Sequence, residues 1–186
     1  RANVRRLEAE ALRDSMLAVG GAIDLSMGGS LLHVKNREYF FDHTSKDGTK
    51  YDSPRRSLYL PVVRNNLYDV FQLFDYADAS VLNGNRDSTT VAPQALFLLN
   101  SDLSLRASES LARRVAETTA DDQGRVRALY VVAFGRPASE SEVARAVKFL
   151  ELEAGASGGA GDGGREKAWR LLCQTVLASN EFAYVR

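Results

Sequence analysis

Apolar residues recur along this chain at helical spacing, and that recurrence predicts most of its elements. Val4, Leu7, Ala11, Ser15, Ala18 and Val19 share one face over residues 3–19, with Arg6, Glu10 and Arg13 on the other, so an amphipathic helix is expected there. Glu8 falls inside the apolar face and calls for a charged or hydrogen-bonding partner. Gly20 and Gly21 supply a stop, because glycine accepts the left-handed conformation at a helix end. Residues 20–54 lose the periodicity, and residues 57–63 are β-prone around Pro61, which confines any strand to a short or edge one. Leu67, Val70, Phe71 and Phe74 predict a short helix at 66–75. Thr89 or Thr90 can cap the next helix, with Pro93 in its first turn. Residues 95–99 are apolar all round, so that helix is expected to be central and buried, with Phe97 in the core.

The second half is more regular. Ser101 or Asp102 opens a helix to about residue 118 with Ala107, Leu111 and Val115 inward. Val126, Leu129, Tyr130, Ala133 and Phe134 form a stripe that Gly135 ends and Pro137 keeps from continuing. Ser139-Glu140-Ser141-Glu142 has the spacing of a capping box, followed by Val143, Val147 and Leu150. Residues 155–164 are nearly all Gly, Ala, Ser and Asp and read as a flexible, dispensable loop. Trp169, Leu172, Cys173 and Val176 define a terminal helix. The fold class expected is mainly α: an irregular helical domain with long loops and a small β element near residues 31–63.

At 186 residues the chain can bury roughly 70% of its unfolded surface without staples. Lys plus Arg and Asp plus Glu are equal at 24 each, which argues against a dedicated nucleic-acid binder and against attraction to an anionic membrane. No apolar run approaches a membrane span, so no membrane insertion is expected. The one cysteine, Cys173, rules out an internal disulfide. The chain begins at Arg1 with a helical pattern almost at once, which reads as one piece, residues 1–186, of a larger multidomain protein, with sub-units 1–100 and 101–186.

Three stretches carry a resemblance: Tyr51-Asp52-Ser53-Pro54-Arg55-Arg56-Ser57-Leu58-Tyr59, Thr89-Thr90-Val91-Ala92-Pro93-Gln94-Ala95-Leu96, and Ala178-Ser179-Asn180-Glu181-Phe182. Arg5-Arg6-Leu7-Glu8-Ala9-Glu10 and the run from Leu129-Tyr130 to Phe134-Gly135-Arg136-Pro137 fit as well. Together they resemble a planctomycete domain of unknown function, number 1553, found at the C-terminal end of large proteins that often carry a cytochrome-c-like domain upstream. The resemblance implies an exported bacterial protein, periplasmic or in the cell envelope. It implies no established reaction and no catalytic residues. With no Cys-x-x-Cys-His sequence, no haem is expected on this chain, nor any other cofactor.

Candidate chemistry is sparse. His33 and His43 stand ten positions apart near Asp42 and Asp47, without a paired His-x-x-x-His face, and read as loop histidines rather than metal ligands. Cys173 lies on an apolar helix face and reads as a buried, inert thiol. Arg13 and Asp14 read as structural ion-pairing residues. Arg55, Arg56, Arg64 and Arg86 are the anion-binding candidates, since guanidinium groups in turns can converge on a carboxylate, sulfate or phosphate. The alternative is that each pairs with a local acid such as Asp52 or Asp87, or with helix C-terminal carbonyls. The glycines near residue 160 do not make a phosphate loop, because no Gly-Lys-Ser/Thr opens a helix there. These features favour a non-catalytic structural or interaction module that packs against upstream domains of its parent and holds a protein or polysaccharide partner. The rival readings are part of a carbohydrate-active hydrolase, with carboxylates that sequence cannot locate, and a binding module for acidic sugars.

Overall fold

The computed structural model describes residues 4–32, 52–63, 67–78, 81–82, 84–156 and 162–185. Within them the chain is mostly helical, with one small antiparallel sheet. β1 (Arg5–Arg6) leads into α1 (Ala9–Val19). A 3-10 turn at Ser57–Tyr59 precedes α2 (Asp69–Leu73), α3 (Ala92–Asn100), α4 (Asp102–Ala116), α5 (Asp122–Phe134), α6 (Glu140–Ala156), α7 (Asp162–Leu177), α8 (Asn180–Ala183) and β2 (Tyr184–Val185).

α4 and α7 form the centre. They pack on each other, α6 lies along α7, and α1, α3 and α5 lie against α4. The amphipathic pattern explains this arrangement. Ala107, Leu111 and Val115 of α4 and Trp169, Leu172, Cys173 and Val176 of α7 are all buried, as their spacing predicts. Ser104 and Ser108 share the inward face of α4; each hydroxyl donates to a backbone carbonyl, Ser104 to Leu98 and Ser108 to Leu105 at 2.8 Å, so close helix packing leaves no hydroxyl unmet. The buried side chains form one cluster that runs from Ala9 to Ala183.

The punctuation residues act as the sequence indicates. Ser101 caps α4 by accepting from the Ser104 N–H at 3.2 Å. Gly135 ends α5 in the left-handed conformation at φ 67°. Glu142 accepts from the Ser139 N–H at 2.8 Å, and the Ser139 hydroxyl accepts from the Glu142 N–H at 3.4 Å, closing the capping box.

Three expectations are corrected and one is met in part. First, the opening helix starts at Ala9, not near residue 3, because Arg5 and Arg6 pair as a strand with Val185 and Tyr184. Its buried face is Ala9, Leu12, Arg13, Met16 and Val19, while Ala11 and Ala18 are exposed. Glu8 is the exposed residue before the first turn and pairs with Arg86 at 3.2 Å. Second, the paired strands β1 and β2 lie at the two ends of the described chain, while within residues 31–63 Arg55 and Val63 are β-bridge residues. The β-prone run opens with the 3-10 turn, and Arg55 makes an isolated parallel bridge with Asp24; residues 33–51 lie outside the described residues. Third, α3 is not central: Gln94 and Leu98 are its buried residues, and Phe97 is half-buried. Fourth, the glycine-rich stretch is shorter than 155–164, because α6 continues to Ala156 and α7 begins at Asp162; residues 157–161 lie outside the described residues.

The ion pairs of Arg136 lock the end of α5 to two other helices. Its guanidinium meets Glu142 of α6 at 2.8 and 3.0 Å and Glu181 of α8 at 2.5 and 2.8 Å. The Arg136 bonds, helped by the Ser139 N–H, hold the Glu142 carboxyl at about 2, below its ordinary 4.5. A carboxyl whose pKa is depressed on folding stabilises the fold above its unfolded pKa. That contribution is therefore full above about pH 4.5 and disappears as the pH falls towards 2. Glu142→Gln should destabilise by about 1 kcal/mol at pH 7, the size left after solvent screening, and urea unfolding of the two proteins should converge as the pH approaches 2. Burial separates two aromatic residues: Trp169→Ala should lose about 3–5 kcal/mol in the same measurement, and Phe97→Ala, at a half-buried site, clearly less.

Candidate functional site

Arg13 is 3% exposed and faces the interior of the domain from α1. Its guanidinium donates to the carbonyl of Ser53, to the carbonyl of Arg55 at 2.9 Å and to Ser57 Oγ at 3.3 Å, and lies 3.5 Å from Asp14 Oδ1. The same Asp14 oxygen accepts from the Ser57 N–H at 2.8 Å and the Ser57 hydroxyl at 2.6 Å. Burial draws the Arg13 guanidinium below its ordinary pKa, and Asp14 opposes that shift. A buried guanidinium is tolerated only where carbonyls and a carboxylate replace water at its donors, and residues 53–57 provide them. The pair read from sequence as structural is thus the anchor of an entire loop. Ser57 is itself buried and already bonded, so this cluster is a clamp and presents no accessible nucleophile.

The arginines singled out as anion-binding candidates occupy different settings. Arg55 donates to the carbonyls of Ser26, at 3.1 Å, and Gly28, and its guanidinium carbon lies 4.2 Å from the Tyr59 ring centroid. Its Nε is buried without a partner among the described residues. Arg56 is exposed at the start of the 3-10 turn. Arg86 meets Glu10 at 2.8 Å as well as Glu8, and lies 5.0 Å from the Tyr76 ring centroid. Arg64 lies outside the described residues, as do His33 and His43. Arg55 and Arg86 thus engage separate partners, carbonyls for one and carboxylates for the other. Cys173 is fully buried, and burial pushes its thiol up to about 12, which fits a small apolar role. Among the described residues no group of three His, Cys, Asp or Glu side chains is placed to hold a metal.

One hollow with room for a ligand lies beside the clamp. α2, α3 and the first turn of α4 enclose an open groove of about 710 Å³. Leu73, Pro93, Leu96, Phe97 and Leu103 supply its apolar wall, with Asp69 and Asp102 also lining it. A polar residue sets this geometry. The Gln94 amide N–H donates to the carbonyls of Leu73 at 2.8 Å and Thr89 at 3.2 Å, and its Oε1 accepts from the Val91 N–H at 3.3 Å. With Gln94 turned inward, Val91, Leu96 and Leu99 point out, at 45%, 60% and 44% exposed. Thr89 does not cap α3; its N–H and hydroxyl both donate to Asp75 at 2.8 Å. Asp75 sits at φ 58°, a left-handed conformation unusual for a non-glycine residue, and also accepts from Arg6 at 2.6 Å. Burial pushes the Asp75 carboxyl up, but the bonds from Thr89 and Arg6 prevail and hold it below its ordinary value.

A family model, PSD1, described as a protein of unknown function (DUF1553), matches residues 1–150. The chain belongs to the DUF1553 family. No curated protein and no solved structure matches it.

Two of the three stretches that carry the resemblance fall within the matched region, and each builds part of this DUF1553 site. Residues 53–57 wrap Arg13, while Thr89 and Gln94 fix α3 on α2. The third lies beyond the match and opens α8, where the Ser179 hydroxyl accepts from the Phe182 N–H at 3.3 Å. Sequence reading missed the groove, because nothing in the pattern shows which face of an all-apolar helix a single glutamine will turn inward. Removing the clamp should be costly: Arg13→Gln should destabilise the DUF1553 domain by about 3–5 kcal/mol, since it leaves carbonyls and Asp14 without their buried partner. Arg13→Lys should rescue little of this, because an ammonium cannot span the same fork. Urea unfolding measures both, and wild-type stability of Arg13→Gln would show that the loop holds itself.

Proposed function

We propose that this domain is a non-catalytic interaction module whose α2–α3 groove receives an amphipathic helix with a Lys- or Arg-rich edge. One observation carries the reading: α3, with its run of apolar residues, buries a glutamine and leaves Val91, Leu96 and Leu99 exposed. Exposed apolar surface beside a groove is characteristic of an interaction site. Asp69 and Asp102 at the groove are both exposed and select a basic edge on the incoming helix. An upstream domain of the parent polypeptide is the proposed source of that helix, and an exported setting is proposed with it; the family resemblance supports both. The rival reading, a carbohydrate-active hydrolase, draws on the same two carboxylates sharing one groove.

Fluorescence anisotropy with a labelled helical peptide distinguishes these. The probe carries leucines at i, i+3, i+4 and i+7 and lysine flanks, and its control carries glutamate flanks. The lysine form should bind about ten-fold more tightly. Leu96→Asn with Leu99→Asn should weaken it by a similar factor, with a stability change within about 0.5 kcal/mol because both sites are exposed. Binding indifferent to flank charge and to these substitutions would sink the proposal. So would a concentration-dependent dimer that the substitutions abolish, which would give the groove to a second copy. Glycoside hydrolysis lost in Asp69→Asn or Asp102→Asn would favour the hydrolase.

A further inference from the structure

A second depression, of about 580 Å³, lies where the C-terminal half of α4 meets the start of α5 and the first turns of α7. Its lining includes Arg113, Arg125, Arg165, Lys167 and Arg170. Glu109 and Glu166 are its carboxylates, and Asp122, just outside, pairs with Arg165. The lining thus holds five cations against two carboxylates, with Asp122 and, near Arg125, Asp121 at its edge, in a chain that carries 24 of each sign overall. We propose that this cleft binds a small polyanion carrying two or more phosphate or sulfate groups.

Three physical points support the assignment. Arg165 stands in the first turn of α7, where a cation opposes the helix dipole, so helix stability does not account for it. Part of the cluster is held in place before any ligand arrives. Asp122 ties Arg165 and accepts from Trp169 Nε1 at 3.2 Å, and the Arg125 Nε donates to the Thr119 carbonyl at 2.8 Å. Those bonds use one edge of Arg125 and leave its terminal nitrogens for a fork-to-oxyanion contact. Arg113, Lys167 and Arg170 are exposed around the same hollow, which has the volume of a small-molecule site and not of a flat nucleic-acid track. Cations drawn from three helices around one hollow match a ligand with at least two negative groups better than a single oxyanion.

Isothermal titration calorimetry on the 186-residue chain at low salt tests this. Pyrophosphate and a sulfated heparin disaccharide serve as probes, with inorganic phosphate as the monovalent-site control. At least one polyanion should bind more tightly than inorganic phosphate, and its affinity should fall as salt rises. Arg113→Gln with Arg170→Gln should weaken binding about ten-fold or more. Melting should be unchanged, since both residues are exposed. Arg106→Gln, on the same helix but paired with Asp52 outside the cleft, should leave binding intact. Tighter binding of pyrophosphate assigns the cleft to phosphate groups, and tighter binding of the disaccharide assigns it to sulfate groups. Absence of binding by both polyanions, full binding by the Arg113/Arg170 variant, or tighter binding of duplex DNA than of either probe would overturn the proposal.

Discussion

The burial of one guanidinium governs how the N-terminal half of this domain is assembled. Arg13 occupies a position on α1 that an aliphatic side chain would fill in an ordinary amphipathic helix, between Leu12 and Met16. Its charge can stay there only if backbone carbonyls come to it, and the carbonyls of Ser53 and Arg55 do so. Asp14 completes the exchange by receiving the Ser57 N–H and hydroxyl. A segment without helical periodicity is thereby fixed against α1, and Arg55, turned away from the clamp, reaches on to the carbonyls of residues 26 and 28. Breaking the Arg13 contacts strands a buried charge, which is why the bonds of the clamp stand or fall together.

A second polar anchor works the same way at α3. Gln94 and Thr89 make their bonds to α2 and to Asp75, and so decide that Leu96 and Leu99 point outward while Leu98 stays buried. Arg6 joins this anchor from β1 through Asp75, at 2.6 Å. Because β1 pairs with β2, and the Leu7 N–H donates to the Ala183 carbonyl at 2.8 Å, the anchor also ties the start of the chain to α8. The exposed apolar face beside the groove follows from these polar bonds and from the small number of apolar contacts left to α3.

The two proposed surfaces differ in kind. The α2–α3 groove is apolar with carboxylates beside it, while the α4–α7 cleft gathers arginines around the edge of Trp169. They use opposite ends of α4, its first turn and its C-terminal half, and its charged residues are spread evenly enough in sequence that neither surface is visible in its composition. A neutral overall charge therefore says little about what this domain can bind, because separation in space creates fields that the sum conceals.

The sequence by itself determined the helices of the second half, where amphipathic period, capping serines and Gly135 agree and each decision is local. It also determined that Cys173 and Trp169 face inward and, through short matching stretches, the family. It misplaced the start of α1 and did not reveal the β1–β2 pair because a two-residue strand has no pattern of its own; its partner lies at the far end of the described chain. It read Phe97 and its neighbours as core because apolarity favours burial without specifying which face is covered. Only the tertiary structure decided that Gln94 takes that place, that Arg86 answers Glu8 and Glu10 rather than Asp87, and that Arg113, Arg125 and Arg170 share a hollow. These are long-range polar and steric choices, made when elements distant in sequence compete for the same interior, and no local period encodes them.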